Sequence, residues 1–163
     1  MRARFFMAGV NANAVKRSNA LNGYGPKVTY CEGQCFASVF GALGAIFSML
    51  WMGICMAVPP LKAAFLPKPG EGPSEEFMAE GYLVVTGVAT ATDGKTTATS
   101  VMKFPVDPGY KDTARMVVES ALTLALDSKK LADPKGGVFT PGCCQGVALL
   151  DRLCATGTSF ECN

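Results

Sequence analysis

From Gly33 to Leu61 this chain carries no charged residue, while Phe36, Phe40, Leu43, Ile46, Phe47, Leu50, Trp51, Ile54 and Val58 fall inside it. A stretch of 18 or more mostly apolar residues is long enough to cross hydrocarbon, since about 20 residues at ~1.5 Å each span ~30 Å. Any fold built from this sequence must bury that run in a core or set it against lipid. The spacing predicts a helix from about Cys35 to Ala57, ended by Pro59-Pro60, which removes donors and disfavours helical geometry in the residue before it. Leu61–Leu66 adds at most one more turn. Small residues at Ser38, Gly41, Ala42, Gly44 and Ala45 suit close helix contact in lipid. The run lies between two parts that read as one soluble unit. A monotopic or re-entrant insertion, or burial at a lipid-substrate tunnel, is therefore preferred over a full bilayer crossing, and the expected location is intracellular and membrane-associated.

The rest is ordinary globular composition on a length, 163 residues, that suits a compact domain. Net charge is +2, too mild for a nucleic-acid surface, so no nucleic-acid partner is expected. Arg2, Arg4, Lys16, Arg17 and Lys27 all precede the first acidic residue, Glu32. Such a bias suits an organellar presequence, a basic arm facing a membrane, or neither; from Lys16 onward it is read as neither. There is no histidine, which excludes Ser-His-Asp, Cys-His and His-metal chemistry within these residues. The seven cysteines, at 31, 35, 55, 143, 144, 154 and 162, do not follow a zinc spacing. They read as reduced thiols packed as small apolar groups, and no metal is expected.

Around the apolar run, residues 1–15 form an irregular segment within an Ala/Asn/Gly-rich stretch to residue 23 that is irregular or weakly helical. Lys27–Cys31 reads as a short strand. Pro67–Ser74 is a loop, with Ser74 capping a helical turn that Glu75 and Glu76 support against its dipole. Gly81–Thr92 and Lys95–Val106 form a hairpin about Asp93-Gly94, a pair suited to a two-residue type I′ turn. That register sets Leu83 opposite Phe104, Val85 opposite Met102, Gly87 opposite Ser100 and Ala89 opposite Ala98, giving one apolar face. Asp107-Pro108 opens a helix by cap-then-proline logic, and Tyr110, Ala114, Val117, Val118, Ala121, Leu122 and Ala125 recur at helical spacing within it. After a loop at Asp133–Gly137, Val138-Phe139 extends briefly. Thr140-Pro141 starts a second helix that Gly157 ends, and Thr158–Glu161 is a last strand. The fold class is α+β: a mostly antiparallel sheet with two packed helices, plus one long hydrophobic helical segment.

Chemistry is sparse. Gly70-Glu-Gly72 lacks the strand a dinucleotide loop follows, and Gly94-Lys95-Thr96 lacks the earlier glycine of a phosphate loop, having Ala89 there. No cofactor-binding residue is assigned. Asp107 and Tyr110 stand at a helix start, where oriented N–H groups meet an anion or carbonyl. They and Thr140 are the candidate substrate-binding residues, although capping alone accounts for Asp107 and Thr140, and packing for Tyr110. The sequence assigns no catalytic residue.

Several blocks in order carry a family likeness: Arg17-Ser-Asn-Ala-Leu-Asn-Gly-Tyr-Gly25, Pro69-Gly-Glu-Gly-Pro-Ser-Glu-Glu76, Asp107-Pro-Gly-Tyr110, Ala114-Arg-Met-Val-Val-Glu-Ser-Ala-Leu122, Gly136-Gly-Val-Phe-Thr-Pro-Gly142, Leu149-Leu-Asp-Arg-Leu153 and the closing Gly157 to Phe160. Together they resemble the C-terminal portion of saccharopine dehydrogenase-like oxidoreductases, in the bacterial branch that includes trans-acting enoyl reductases. The likeness runs from about Lys16 to residue 163, which makes 16–163 a substrate-side domain with a hydrophobic insertion at 33–61. The resemblance implies a Rossmann domain that binds NAD(P), absent from these residues, so NADPH belongs to the full-length family and not to this chain alone. It also implies hydride transfer from NADPH to the β-carbon of an unsaturated acyl thioester, with protonation at the α-carbon. This chain would then furnish walls for a lipid or acyl substrate, a membrane-facing helix and a lid, and would be inactive without a separate or missing Rossmann partner. The alternative is a non-catalytic membrane-associated protein or subunit derived from the same domain.

Overall fold

The computed structural model describes residues 2–68, 70–132 and 136–163. Pro69, in the loop before Ser74, and Asp133, Pro134 and Lys135, in the expected loop at Asp133–Gly137, lie outside the described residues. The chain divides into two compact units, Met1–Gly72 and Pro73–Asn163.

In the first unit, β1 (Arg2–Arg4) pairs antiparallel with β2 (Gly33–Cys35), setting Arg2 opposite Cys35 and Arg4 opposite Gly33. The strand expected at Lys27–Cys31 is thus displaced to Gly33–Cys35. Side-chain propensity favoured the Val-Thr-Tyr segment, but a ladder forms where a partner lies, and β1 lies beside residues 33–35. Gly33 suits that contact because a Cβ there would meet the Ala3 carbonyl oxygen at 3.0 Å.

Between these strands runs α1 (Ala8–Asn22), a regular helix over residues expected to be irregular or weakly helical. It lacks an apolar stripe, the signal sequence reading depends on. Its end is well defined: Gly23 takes the left-handed conformation (φ 66°) and donates its N–H to the Asn19 carbonyl at 2.8 Å. The Asn19 side chain clasps the Gly25 backbone, donating to its carbonyl at 2.9 Å and accepting its N–H at 3.1 Å. Asn11 donates to both Glu32 carboxylate oxygens, at 3.1 and 2.9 Å, tying α1 to the segment that enters β2.

The apolar run forms α2 (Val39–Ala57), capped by Ser38, whose hydroxyl oxygen accepts the Gly41 N–H at 3.1 Å. Val58 is extended and ends it, and Pro59 begins α3 (Pro59–Phe65) at the position where a proline costs no hydrogen bond. The Trp51 and Phe65 rings meet edge to face at 5.8 Å, so α3 folds back along the last turns of α2.

In the second unit, Ser74 caps α4 (Glu75–Glu80) by accepting the Phe77 N–H at 3.2 Å. β3 (Leu83–Thr90) and β4 (Thr97–Phe104) pair in the register read from sequence, including Leu83 with Phe104, Val85 with Met102, Gly87 with Ser100 and Ala89 with Ala98. The turn is not type I′. Its hydrogen bond runs from Gly94 N–H to the Ala91 carbonyl at 3.0 Å, and Gly94 alone among the turn residues has positive φ, 70°. Asp93 keeps ordinary backbone geometry and instead accepts from Lys95 N–H, Thr96 N–H and the Thr96 hydroxyl, at 2.9, 3.0 and 2.8 Å. The register survives because the longer turn is centred on the same two residues. β5 (Ser159–Cys162) completes the order β3-β4-β5, with Phe160 opposite Met102.

The helix expected from Asp107-Pro108 begins later, as α5 (Lys111–Leu126). Asp107 does cap a turn, its carboxylate accepting the Tyr110 N–H at 2.8 Å, but Tyr110 (φ −130°) leaves helical geometry and the turn does not propagate. A single-turn 3-10 helix at Ser128–Lys130 follows α5. Val138-Phe139, expected to extend, forms no strand. The second expected helix is broken into α6 (Pro141–Cys144) and α7 (Gly146–Ala155), since Gly146 has φ 46° and the chain turns there. Gln145, at the break, is buried and clasps Ser120 of α5: its amide donates to the Ser120 carbonyl at 3.2 Å and accepts the Ser120 hydroxyl at 3.0 Å. Helices α5 and α7 pack on each other. Phe104, Cys143, Ala148 and Leu153 supply the buried apolar groups of this unit, with Thr123, Gln145, Thr158 and Asp112 buried beside them.

Candidate functional site

Three features of these units have the chemistry or exposure to take part in function, and each follows from local sequence. The first is α2. Only Ala42 and Cys55 of its 19 residues are buried. Phe40 is 84% exposed and Phe47 70%, and Leu43, Ile46, Met49, Leu50, Met52, Ile54 and Met56 are exposed as well. With mean hydropathy 2.0 and a length of 19 residues, it is the one helix among the described residues long and apolar enough to cross a membrane.

The second is the Asp107–Lys111 segment. Asp107 N–H donates to the Met78 carbonyl at 2.9 Å, which brings α4 beside the start of α5. Gly81 sits against this bend so closely that a Cβ would lie 2.7 Å from the Asp107 Cα. A shallow recess of about 250 Å³ results, lined by Glu75, Met78, Tyr110 and Lys111. The structure thus joins two of the sequence-derived candidates, Asp107 and Tyr110, through the capping hydrogen bond. Tyr110 is 64% exposed and lines the recess. Thr140 is elsewhere in the unit: it opens α6, its carbonyl accepting the Cys143 and Cys144 N–H groups at 3.0 Å each, and it does not line the recess.

The third feature was not anticipated. Arg115, one turn into α5, makes an ion pair with Asp112 at 2.6 Å through Nε. Its Nη1 donates to the Leu153 carbonyl at 3.1 Å and the Thr156 hydroxyl at 2.6 Å, and its Nη2 to the Thr158 hydroxyl at 2.7 Å. One planar fork thereby joins α5, the end of α7 and the entry to β5. Asp112 is fully buried, and its Oδ2 has no hydrogen-bond partner among the described residues. Further along the same helix pair, Arg152 of α7 bridges Glu119 and Asp127, each at 3.1 Å. Lys130, hydrogen-bonded to Asp127 at 2.9 Å, is the first cause holding that carboxyl below the ordinary carboxylate range, with Arg152 adding to it. The Asp112 and Arg115 spacing of three is visible in sequence; the three acceptors 38 to 43 residues away are not.

Neither Gly70-Glu-Gly72 nor Gly94 stands at the strand-to-helix turn that a dinucleotide loop occupies. The described strand pairs are all antiparallel, Gly70 and Gly72 lie between two helices with no strand leading into them, and Gly94 is committed to the hairpin turn. No group of three or more Cys, Asp or Glu gathers in metal-holding geometry among the described residues.

Comparison with known proteins adds what the geometry alone does not. The chain is 37% identical over 171 aligned positions to a Mycobacterium tuberculosis (strain H37Rv) protein provisionally named a trans-acting enoyl reductase, covering 98% of this chain and 40% of the relative. It is 36% identical to the trans-acting enoyl reductase of Mycobacterium ulcerans and 34% identical to that of Mycobacterium bovis (strain BCG), each match covering 94% of this chain and 39% of the relative. The chain therefore spans about two-fifths of the length of the curated relatives it matches. The 98% coverage takes in most of residues 1–15, which the sequence alone set apart. No family model matches the chain, and no solved structure matches it.

Proposed function

We propose that this chain is the C-terminal, substrate-side portion of a saccharopine dehydrogenase-like oxidoreductase that reduces an enoyl or other lipid-type substrate. The observation that carries this reading is the 37% identity across nearly all of the chain to a protein named for enoyl reduction. NADPH supplies the reducing hydride when a separate nucleotide-binding portion holds it. The role of these residues is to bind and screen the substrate. The recess at Tyr110 offers a phenol, an ammonium group (Lys111) and a carboxylate (Glu75) around an apolar floor at Met78, a combination suited to the polar end of an acyl thioester. Asp107 holds the Tyr110 backbone in place and acts as a positioning residue. Thr140 belongs to the framework of α6.

The test is a chimera. The matching stretch of the Mycobacterium tuberculosis relative is replaced by this chain, and NADPH oxidation is followed with an unsaturated acyl thioester. Activity within about tenfold of the parent, a loss of ~1.4 kcal/mol or less in transition-state binding, supports the reading. A chimera that folds by circular dichroism and binds NADPH yet reduces nothing refutes it. The isolated chain is expected to show no NADPH binding at micromolar concentration.

A further inference from the structure

Building on the substrate-side reading, we infer that the outer side of α5 is the seat of the separate nucleotide-binding portion, which lies along this helix and roofs the recess at Tyr110.

The observation that carries this is a helix built inside out. At ~3.6 residues per turn, Ala114, Val117, Val118, Ala121, Leu124 and Ala125 fall on one side of α5, the apolar spacing that in a sequence marks a core-facing side. All six are exposed, Val117 by 63% and Val118 by 55%. The opposite side is turned inward and is mostly polar. Asp112 and Thr123 are fully buried, and Arg115, Glu119 and Ser120 are half-buried with them, beside Met116 and Leu122.

This orientation is held by side-chain bonds. Rolling α5 to turn its apolar side inward would break the Arg115 bonds to the Leu153 carbonyl, Thr156 and Thr158, the Ser120–Gln145 clasp and the Glu119–Arg152 ion pair together. The fold therefore presents an apolar stripe outward by construction, and a contiguous surface of that kind marks a docking site.

Four further observations choose the occupant. The stripe is about 24 Å long, 16 residues at ~1.5 Å, and about 10 Å wide. Set against a second copy of itself it covers on the order of a few hundred Å², short of the ~800 Å² per partner that a stable complex commonly buries. The occupant must reach past the stripe, and the recess lies at its end. Ala114 donates its N–H to the Tyr110 carbonyl at 2.9 Å, and Tyr110 lines the recess with Glu75, Met78 and Lys111, so a partner lying along α5 closes that shallow site from above. Charge argues against a lipid covering: residues 73–163 hold eleven Asp or Glu against eight Lys or Arg, a net −3, which an anionic bilayer does not attract. Finally, the match takes 40% of the Mycobacterium tuberculosis relative, leaving about three-fifths of that chain without a counterpart in these residues. Covering the stripe is the task assigned to it.

The experiment compares the full 163-residue chain with the chimera in which it replaces the matching stretch of that relative. Ala121→Cys is made in each, and modification of position 121 by a water-soluble maleimide is timed by peptide mass mapping, which separates that thiol from the seven native ones. Modification should be at least tenfold slower in the chimera than in the chain alone. Equal rates would overturn the proposal. Slow modification already in the chain alone would also overturn it, in favour of a second copy if dilution restores the rate and of the chain's own residues if it does not. Enoyl reduction is followed on the chimera without the added cysteine. Protection of position 121 in a chimera that reduces nothing upholds the docking and removes the enoyl-reductase reading, whereas an active chimera with position 121 freely modified does the reverse. Should the chimera not fold, the unmatched three-fifths of the relative is co-expressed beside the tagged full chain. It should co-purify, and Val117→Glu with Ala121→Arg, both at exposed positions, should cut its yield at least tenfold. No co-purification, or an unchanged yield with the double variant, overturns the proposal.

Discussion

Replacing Arg115 by alanine strips four interactions from the second unit: the ion pair to Asp112 and the bonds to the Leu153 carbonyl and the Thr156 and Thr158 hydroxyls. What remains decides the magnitude. Asp112 is fully buried and has no other side-chain partner among the described residues, so the substitution leaves a carboxylate enclosed and uncompensated. Removing one member of a buried pair costs about 3–5 kcal/mol. Arg115 is itself 19% exposed on its side chain, and water entering the space it leaves moderates the penalty, so about 3 kcal/mol is expected. That is a large share of the ~5–15 kcal/mol that holds a domain folded. Lysine should rescue little, because a single ammonium group cannot reach acceptors on α5, α7 and the entry to β5 together. The informative control is Asp112→Leu with Arg115→Met, which removes both charges. It should be less destabilising than Arg115→Ala alone by at least about 1.5 kcal/mol, since no charge is left buried. Urea unfolding by far-UV circular dichroism gives the totals, and hydrogen exchange at α5 and β5 amides localises the loss. The single tryptophan lies in the other unit. A cost below about 1 kcal/mol for Arg115→Ala, or a double variant worse than the single, would refute the reasoning.

Three further predictions concern stability. Gly81→Ala places a Cβ 2.7 Å from the Asp107 Cα and 2.9 Å from its Cβ, a clash with backbone that cannot rotate away, and should cost about 1–3 kcal/mol in the same urea assay. Gly44→Ala, where no atom lies within 4 Å, should be neutral or raise the melting temperature of the first unit, because alanine favours helix over glycine by about 1 kcal/mol. The carboxyl of Asp127 has its folded pKa lowered by Lys130 and Arg152. Its contribution is therefore present above the ordinary aspartate value and lost as pH falls through the lower folded value. Asp127→Asn should flatten that acid limb when unfolding midpoints are followed from about pH 6 to pH 2, and an unchanged limb would assign the acid loss to other groups.

What could be read from sequence was whatever repeats along the chain. Alternating side chains around Asp93-Gly94 fixed the hairpin register even though the turn type differs, because register depends on the centre of a turn and not on its dihedral angles. Charge-free length marked α2, although its cap at Ser38 starts it later than the Cys35 expected, and Ser74 caps α4 as its neighbours suggest. What escaped is set by tertiary partners. α1 has no apolar period to announce it, β2 falls where β1 meets it, and the break at Gly146 accompanies the Gln145 clasp on Ser120. The candidate site was legible in part. Asp107 and Tyr110 are neighbours in sequence and remain so in the fold, whereas Arg115 finds its acceptors about forty positions away, a distance local patterns do not span.

One feature of the second unit bears on handling. β3 has β4 on one side and no strand on the other among the described residues, and Val84 and Val88 on it are exposed. Every second residue of this eight-residue strand turns its amide and carbonyl outward, and with no lysine or proline in the strand to discourage a newcomer that edge forms a template for lateral stacking between copies. Concentrated samples are accordingly expected to grow by sheet extension, and a lysine introduced at Val84 or Val88 should keep them monodisperse.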